Sequence, residues 1–267
     1  MLGQDVARAA ALANHDVEVA DRAAIDITDA DAVTRALERL RPDAVINCAA
    51  FTDVDGAEGD REAAMKVNAA GARNVATGAA AVGAAVVYPS SDYVFDGSKE
   101  EPYVESDEPN PLSSYGASKL AGEVDTAVAN PKHYIVRSSW LFGTAGRNFV
   151  ETMLELGERE HQVIVVRDQV GSPTYTAHLA EGLVRMLDSG AFGLHHMSAG
   201  GHCSWYDFAV AIFDKAGIEC NVLSTTTAEL GRPAPRPEWS VLDTQWRDAI
   251  HLPDWQLGLE DYLQERE

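Results

Sequence analysis

Short apolar runs alternate with amphipathic stretches along most of this chain of 267 residues, and this alternation restricts the possible folds more than any other feature. Strands separated by helices pair in parallel, because each helix covers the sheet and returns the chain to the same end. The apolar spacing predicts strands at residues 17–20, 44–47, 85–88, 134–137 and 163–166. It predicts helices at residues 5–14, 29–40, 61–82, 113–128, 149–158, 177–187 and 206–216.

This order predicts an α/β fold with a doubly wound, Rossmann-like parallel sheet and a smaller C-terminal substrate lobe. We place the dinucleotide-binding domain at residues 1–139 and the substrate-binding lobe at residues 140–267, with some later segments returning to the sheet. Pro233, Pro235 and Pro237 exclude regular structure in their part of the lobe.

The charge balance excludes two classes of partner. The 42 acidic and 21 basic residues give a net charge of −21, which repels a phosphate backbone and an anionic membrane surface. We therefore expect no nucleic acid and no membrane partner. Lysine is scarce, with five in the chain, and the excess of acid suggests a halophilic source.

The three cysteines, Cys48, Cys203 and Cys220, are widely spaced and form no C-x-x-C pair. This argues against a disulfide framework and a zinc site and favours a reducing compartment. The sequence also contains no apolar run of about 20 residues, the length that spans a bilayer, and its N-terminus lacks the features of a signal peptide. We expect a cytoplasmic protein.

Tyr115 and Lys119 are the most informative pair of polar residues. Positions i and i+4 share one face of a helix, so the ammonium group can lie beside the phenol and lower its pKa. Such a tyrosine can donate a proton to the alkoxide that forms when hydride reduces a carbonyl. About 0.15 such pairs are expected by chance from the numbers of tyrosines and lysines, so surface decoration is the alternative interpretation.

The apolar run before Ser90 and Ser91 supports the chemical interpretation. It predicts a strand that delivers both serines to the carboxyl end of the sheet, where open α/β folds bind their ligands. A serine hydroxyl there can hold a substrate carbonyl beside the tyrosine, whereas a Ser-Ser-Asp sequence alone also suits a turn or helix cap.

Several motifs resemble those of the extended short-chain dehydrogenase/reductases, and within them the dTDP-4-dehydrorhamnose reductase family. The resemblance covers nearly the whole chain. Its segments are 47–55 (NCAAFTDVD), 90–97 (SSDYVFDG), 110–123 (NPLSSYGASKLAGE), 137–143 (RSSWLFG), 146–149 (GRNF), 168–175 (DQVGSPTY), 204–206 (SWY) and 236–243 (RPEWSVLD). Asp92-Tyr93 stands where a sugar-nucleotide dehydratase carries an acid-base pair.

The resemblance implies an NADPH- or NADH-dependent reduction of the 4-keto group of a nucleoside-diphosphate 6-deoxy sugar. Ser91 would polarise the ketone, Tyr115 would donate the proton, and Lys119 would tune the tyrosine and hold the nicotinamide ribose. Asp92 and Trp140 would touch the sugar, although Trp140 can equally be a core aromatic residue. Arg147, Asn148 and Arg236 are weaker candidates for the diphosphate, because an acidic chain needs local cations there.

Further residues are assigned to the cofactor. The resemblance places Ala50, Phe51 and Thr52 along it and Asp26 and Ile27 near the adenine. Asp21 and Arg22 follow a predicted strand, where Asp21 can bind a ribose hydroxyl and Arg22 can pair with a 2′-phosphate. These two residues predict use of both cofactors with a preference for NADPH.

The first residues depart from the family pattern. Gly3 and Gln4 resemble the end of a Gly-x-x-Gly-x-x-Gly turn that cradles a pyrophosphate, but the strand and glycines before it are absent. We expect a sheet without its first strand, and either a native start upstream or weak cofactor binding.

Two other functions stay open. One is a non-catalytic NADP-binding subunit resembling the β subunit of methionine adenosyltransferase, and the other is a nucleotide-sugar epimerase or dehydratase. Ser91, Tyr115 and Lys119 favour the reductase. A metal site is not expected, because His195 and His196 are neighbours on a strand and point to opposite faces. The sequence leaves the oligomeric state open, with a homodimer as one alternative.

Overall fold

The computed structural model describes residues 1–266 and contains ten strands. They are β1 (Ala44–Ile46), β2 (Ala85–Ser91), β3 (His133–Ser138), β4 (Leu141–Phe142), β5 (Gln162–Val166), β6 (Val170–Gly171), β7 (Thr174–Tyr175), β8 (Gly193–His196), β9 (Cys203–Ser204) and β10 (Asn221–Thr225). The main sheet has the order β1-β2-β3-β8, and all its pairings are parallel.

Eleven α-helices are present in the same range. They are α1 (Leu2–Leu12), α2 (Ala30–Leu40), α3 (Gly56–Gly59), α4 (Arg61–Met65), α5 (Ala72–Ala81), α6 (Ser114–Ala129), α7 (Phe149–Gly157), α8 (Thr176–Met186), α9 (Trp205–Ala216), α10 (Thr227–Leu230) and α11 (Trp255–Arg266). A π-helical segment, Lys66–Gly71, joins α4 to α5, and a 3₁₀ turn, Asp92–Val94, follows β2.

Helices cover both faces of the main sheet, as the predicted doubly wound fold requires. On one face, Leu2 and Val6 of α1 and Leu179 of α8 pack with the strand residues Val87 and Tyr134. On the other face, the core is formed from α2, α5 and the opposite side of the strands, including Val33, Val75 and Val86. The α/β class and the parallel sheet are therefore confirmed.

The prediction of a strand at residues 17–20 is wrong. These residues are irregular, and Val19 is 68% exposed. A strand gains stability from a hydrogen-bonded neighbour and from a buried face, and in the described residues the main sheet pairs only β1, β2, β3 and β8. The alternation of apolar and polar residues at 17–20 therefore has no partner strand to stabilise it.

Helix α1 begins three residues before its predicted start at Asp5. The Asp5 side chain, expected at the helix boundary, is buried and accepts a hydrogen bond from Thr176 Oγ1 of α8. The contact ties the first helix to α8, and the chain turns helical from Leu2.

The later part of the chain has its own aromatic and aliphatic core. Phe142, Leu154, Phe208 and Leu259 are buried in it, between α7, α9 and α11. Small two-stranded pairings join β5 to β10, β4 to β7 and β6 to β9. β8 returns to pair with β3, so one late segment completes the main sheet, while the division at residues 139 and 140 stays a prediction. Within the described residues, no helix has the length and apolar character needed to cross a membrane.

Candidate active site

Two neighbouring strands bring the predicted reacting serine to the carboxyl edge of the main sheet. Ser91 ends β2 and lies opposite Ser138 of β3 in the parallel register. The apolar residues Val86, Val87 and Tyr88 are buried, which anchors the strand and leaves its polar end at the edge. The sequence predicted this placement from the apolar run.

Helix α6 supplies Tyr115 and Lys119 and is held close to Ser91. The Ser113 hydroxyl caps its first turn by accepting a hydrogen bond from the Gly116 N–H at 3.1 Å. A Cβ atom at Gly116 would lie 2.1 Å from the Tyr93 carbonyl oxygen, so glycine lets the helix approach the loop after β2. The helix therefore presents Tyr115 beside the end of β2.

The Tyr115 phenol, the Ser91 hydroxyl and the Asp92 carboxyl group are neighbours at this edge of the sheet. Burial raises the pKa of Tyr115 to about 12, and a hydrogen bond with the Ser91 side chain opposes this rise. The Ser91 hydroxyl donates to Asp92 Oδ1 at 3.0 Å. Tyr115 is thus a protonated phenol at neutral pH, next to a serine hydroxyl, and it can act as a proton donor.

Lys119 is buried on the same helix face, one turn after Tyr115. Its Nζ donates to the Pro89 carbonyl oxygen at 2.7 Å and lies 4.2 Å from the centre of the Tyr88 ring. Burial lowers the pKa of Lys119 to about 8, against the opposing effect of Glu123.

The expected effect of Lys119 on the tyrosine differs from what the structure shows. The sequence predicted that the ammonium group would lower the pKa of Tyr115, whereas burial raises that pKa and is its largest influence. The ammonium group hydrogen-bonds a backbone carbonyl instead of the phenol. Helical spacing places both residues on one face, but their contacts depend on strand β2, which the spacing does not describe.

Asp92 lies at the start of the 3₁₀ turn with its side chain almost fully buried. Burial raises its pKa to about 7, opposed first by the Ser240 side chain and then by the hydrogen bond from Ser91. Within residues 1–266, Asp92 Oδ2 and Ser138 Oγ are buried oxygens without a hydrogen-bond partner. Thr126 Oγ1 and Tyr134 Oη share this property, but only Asp92 Oδ2 and Ser138 Oγ lie beside Ser91, where a polar ligand could satisfy them.

The residues assigned to the cofactor pyrophosphate lie near the end of β1. A Cβ atom at Gly3 would lie 3.4 Å from the Cys48 Cβ, so the first turn of α1 packs against the loop that follows β1. Among residues 1–266 no side chain caps this N-terminus, although the Gln4 N–H donates to the Met1 carbonyl at 3.0 Å. Helix N-termini suit anions. Gly3 is half-buried and Gln4 is exposed, and both fit a pyrophosphate at this helix end.

The loop with Ala50, Phe51 and Thr52 is held by a residue that sequence reasoning missed. Asn68 Oδ1 accepts from the Phe51 N–H at 2.8 Å, and its Nδ2 donates to the Phe51 carbonyl at 3.0 Å. Nδ2 also donates to Ser118 Oγ at 2.9 Å, which links this loop to α6. Asn68 belongs to the π-helical segment, a feature often found at functional sites. The sequence offered no clear signal for this role, because Asn68 is one of several polar residues in the predicted helix 61–82.

The residues predicted for the adenosine end lie in the irregular segment before α2. Asp21 Oδ1 accepts from the Ala24 N–H. The Arg22 side chain is 87% exposed, and its Nη2 lies 3.9 Å from Asp26 Oδ2, a long ion pair. Asp26 accepts two hydrogen bonds from Thr28, which lower its pKa. Ile27 packs against Gly71. Arg22 is therefore accessible to a phosphate, while the carboxylate of Asp26 is engaged locally.

Two of the three candidates for the nucleotide diphosphate, Asn148 and Arg236, are engaged by other residues. Asn148 caps α7 by accepting from the Glu151 N–H, and its Nδ2 donates to the Gly143 carbonyl at 2.8 Å. Arg147 is exposed. The Arg236 Nη atoms each lie 3.0 Å from one oxygen of Asp55, which makes a two-pronged ion pair. The diphosphate roles of Asn148 and Arg236 stay predictions, and both side chains are occupied here.

Trp140 lies two residues after Ser138 and stacks face to face on Trp205. The two histidines of β8 are separated, as strand geometry predicts. His196 is buried against the carbonyls of Tyr103 and Asp243, and His195 Nε2 contacts the Ala191 carbonyl. Among residues 1–266, no group of three or more His, Cys, Asp or Glu side chains could hold a metal ion.

Comparison with known proteins places this site in a family. The model of the RmlD substrate binding domain matches residues 1–267. The spore coat polysaccharide biosynthesis protein SpsK of Bacillus subtilis is 40% identical over 267 residues, covering 99% of this chain and 94% of that protein. The dTDP-4-dehydrorhamnose reductase of Escherichia coli K12 is 38% identical over 258 residues, covering 90% of this chain and 85% of that enzyme.

A solved structure extends the similarity to three dimensions. The dTDP-4-dehydrorhamnose reductase of Bacillus anthracis, crystallised with NADP, superposes with a TM-score of 0.96 at 40% identity. The match covers 99% of this chain and 95% of that chain. As its motifs predict, the chain belongs to the RmlD substrate binding domain family, that of the dTDP-4-dehydrorhamnose reductases.

Proposed function

We propose that this protein is an NADPH-dependent reductase that converts the 4-keto group of a nucleoside-diphosphate 6-deoxy sugar to a hydroxyl. The preferred substrate is dTDP-4-dehydro-L-rhamnose, and the product is dTDP-L-rhamnose. The observation that carries the proposal is the placement of Tyr115, Ser91 and Lys119 together at the carboxyl edge of the sheet. Relatives about 40% identical bear the name of this reductase, which supports the same substrate class.

The residues around the cofactor positions fit a dinucleotide. The uncapped N-terminus of α1 suits the pyrophosphate, and the loop at residues 50–52 is fixed by Asn68. Lys119 can hold the ribose next to the nicotinamide. When bound, the reduced nicotinamide supplies a hydride to the sugar C4.

Tyr115 and Ser91 then perform the proton chemistry. The Ser91 hydroxyl hydrogen-bonds the ketone oxygen and fixes it beside the phenol. As the hydride adds to C4, the oxygen becomes an alkoxide and takes the proton from Tyr115. The tyrosine regains a proton from solvent. The ketone thus gains one hydride and one proton and becomes the hydroxyl.

Asp92 and Trp140 are proposed to contact the sugar. Asp92 Oδ2 has no hydrogen-bond partner within residues 1–266, so it can accept a bond from a sugar hydroxyl. Trp140 is half-buried at the same edge of the sheet, and an indole face suits the apolar face of a sugar ring.

The preference for NADPH rests on Arg22. Its guanidinium is exposed and makes only a distant ion pair with Asp26, so a 2′-phosphate can compete for it. We infer that the reaction takes place in the cytoplasm, where NADPH and nucleotide sugars are present. The three cysteines form no disulfide, which agrees with a reducing compartment.

The test is NADPH oxidation by the purified chain with a panel of nucleotide 4-keto sugars. We expect turnover with dTDP-4-dehydrorhamnose, and Tyr115→Phe should reduce kcat by about 10²- to 10⁴-fold, because it removes the proton donor. Tyr134→Phe, at the other end of β3 from Ser138, is the matched control, because its phenol oxygen makes no hydrogen bond within residues 1–266.

Two outcomes would contradict the proposal. Oxidation of NADPH at the wild-type rate by a folded Tyr115→Phe protein would remove this residue from the chemistry. Binding of NADPH without turnover of any keto sugar would instead favour a non-catalytic subunit.

A further inference from the structure

The backbone of Trp140 is held in an unfavourable conformation at the edge of the active site. Its φ angle is +48°, in the left-handed region that bulky residues rarely adopt. Such a conformation persists only where the surrounding structure enforces it, and it is frequent at functional sites. Trp140 lies two positions beyond Ser138, the register partner of Ser91. Trp140 therefore follows the end of β3 by two residues, next to the end of β2 that carries Ser91.

The face of the Trp140 indole is packed against a second tryptophan. The Trp140 and Trp205 rings are 3.6 Å apart between their centres and inclined by only 4°. Full overlap of two indoles at this distance fixes both the position and the tilt of the first ring.

Trp205 is itself firmly anchored. It is the first residue of α9, whose N-terminus is closed by reciprocal hydrogen bonds between Ser204 and Asp207. The Phe149 ring lies 4.5 Å from its ring centre, and Phe208 belongs to the buried core beneath. Trp205 is thus held by the C-terminal core and in turn packs against Trp140.

The edge of the Trp140 ring is confined by the backbone of β6. A Cβ atom at Gly171 would lie 2.5 Å from Trp140 Cε2, so any larger residue there would displace the indole. Trp140 nevertheless remains half-buried, which leaves part of its ring accessible. One face and one edge are therefore fixed by protein, and the remaining surface is available to a ligand.

We propose that Trp205 is a positioning residue that holds the Trp140 indole as a rigid wall of the sugar site and so sets the affinity for the nucleotide sugar. This inference rests on the proposed function. Because the indole is already held in place before the substrate binds, no free energy of binding is lost in ordering its side chain. Gly171 has the complementary role of leaving room for the ring.

The experiment compares Trp205→Leu with Trp205→Phe, and Trp246→Leu is the control at an exposed tryptophan. We expect Trp205→Leu to raise KM for the nucleotide sugar about 3- to 10-fold, the effect of losing one aromatic contact, while KM for NADPH stays unchanged. It should also remove the near-ultraviolet circular dichroism signal of the stacked indoles. Trp205→Phe should restore most of the sugar affinity.

Gly171→Ala tests the same wall from its other side, and it decides the outcome if Trp205→Leu does not fold. The added methyl group should displace the indole and raise KM for the nucleotide sugar, with Trp205 intact. A dichroism signal that disappears in Trp205→Leu without any rise in the sugar KM would overturn the proposal. Equal rises of the KM values for sugar and NADPH would also overturn it, because they indicate a general structural defect.

The design separates this inference from the proposed function. A wild-type protein that turns over no nucleotide sugar overturns the proposed function and, with it, the substrate role of the stack. An active wild type whose sugar KM is insensitive to both Trp205→Leu and Gly171→Ala overturns only the role of Trp205.

Discussion

Single ionisable residues determine the pH range in which this site can work. Burial is the largest influence on the pKa values of Tyr115, Lys119 and Asp92. Burial disfavours the charged form, so it raises the pKa of the phenol and the carboxyl group and lowers that of the ammonium group.

We predict that kcat/KM for NADPH falls above pH 8. Burial lowers the pKa of Lys119 to about 8, so its positive charge is lost above that pH. Tyr115 stays protonated there, because its pKa is about 12. The kcat/KM profile reports ionisations of the free enzyme and is the appropriate measurement.

Lys119→Arg provides the control for this profile, because arginine keeps its charge over the whole range. Any activity that this variant retains should not decline between pH 8 and 9.5. A wild-type profile that is flat over the same range would show that the charge of Lys119 is not required.

We predict that Asp92→Asn changes how stability depends on pH. The folded-state pKa of Asp92 is about 7 against an ordinary value of 3.8, so the folded state binds the proton more tightly. The stability from this proton is fully present below pH 3.8 and is lost as the pH rises through about 7. Asparagine does not ionise in this range, so the Asp92→Asn variant does not lose stability in this way as the pH rises.

Urea unfolding of both proteins at pH 5 and pH 8 measures the effect. Between pH 5 and pH 8 the variant should gain about 2–3 kcal/mol in free energy of unfolding relative to wild type, because about two pH units of this proton loss lie above pH 5. Asp248→Asn, at an exposed carboxylate, should show no such gain. An unchanged difference between wild type and Asp92→Asn at the two pH values would refute the prediction.

Helix α6 is the element that assembles the site. It carries Tyr115, Lys119 and Glu123 at intervals of four residues, on one face toward the sheet. A Cβ atom at Gly122 would lie 2.1 Å from the Asn68 carbonyl oxygen, so this glycine permits close contact with the π-helical segment. The helix therefore joins strand β2, which carries Ser91, to Asn68, whose hydrogen bonds to Phe51 clamp the loop at residues 50–52 (the Asn68 clamp).

A buried ion pair ties α6 to strand β3. Arg137 Nη2 lies 2.7 Å from Glu123 Oε2, and both side chains are at most 6% exposed. Removal of one partner from such a pair leaves the other charge buried and unpaired, at a cost of about 3–5 kcal/mol. We therefore predict a loss of this size in the free energy of unfolding for Glu123→Gln and for Arg137→Met.

Urea unfolding checks this prediction, and the double variant Glu123→Leu with Arg137→Met is the comparison. The double variant should be more stable than either single variant, because it leaves no unpaired charge. If each single change costs less than about 1 kcal/mol, the pair does not hold the helix against the strand.

At the scale of the whole molecule, an ion pair connects segments that are distant in sequence. Asp55 follows the cofactor loop, whereas Arg236 belongs to the proline-rich segment near the C-terminus. Asp55 also accepts hydrogen bonds from the Ala234 N–H and from Arg232. The hydrogen bond from Arg236 is the largest cause that lowers the pKa of Asp55 to about 2.

We predict that Asp55→Asn and Arg236→Met each reduce kcat/KM and that their effects are not additive. The two residues act through one contact, so the double variant should resemble the more damaged single variant, with a coupling energy of about 0.5–3 kcal/mol. Kinetics of the four proteins with varied nucleotide sugar give this coupling. Additive effects, or a loss confined to Arg236→Met, would instead support direct binding of the diphosphate by Arg236.

The sequence by itself determined the α/β class, the family and the order of most elements. These follow from local periodicity and from motifs with fixed spacing, so Ser91 at a strand end and Tyr115 and Lys119 on one helix face were predictable. The net charge of −21 is also a property of the sequence, and the halophilic source inferred from it stays a prediction.

Only the tertiary structure decided which side chains meet. The strand at residues 17–20 was predicted from alternation and did not form, because pairing depends on a neighbour elsewhere in the chain. The Asn68 clamp, the Asp55–Arg236 pair and the Trp140–Trp205 stack join residues 17, 181 and 65 positions apart. Burial and partner distance set the pKa values and the contacts, and they arise when the chain folds, so local sequence patterns cannot contain them.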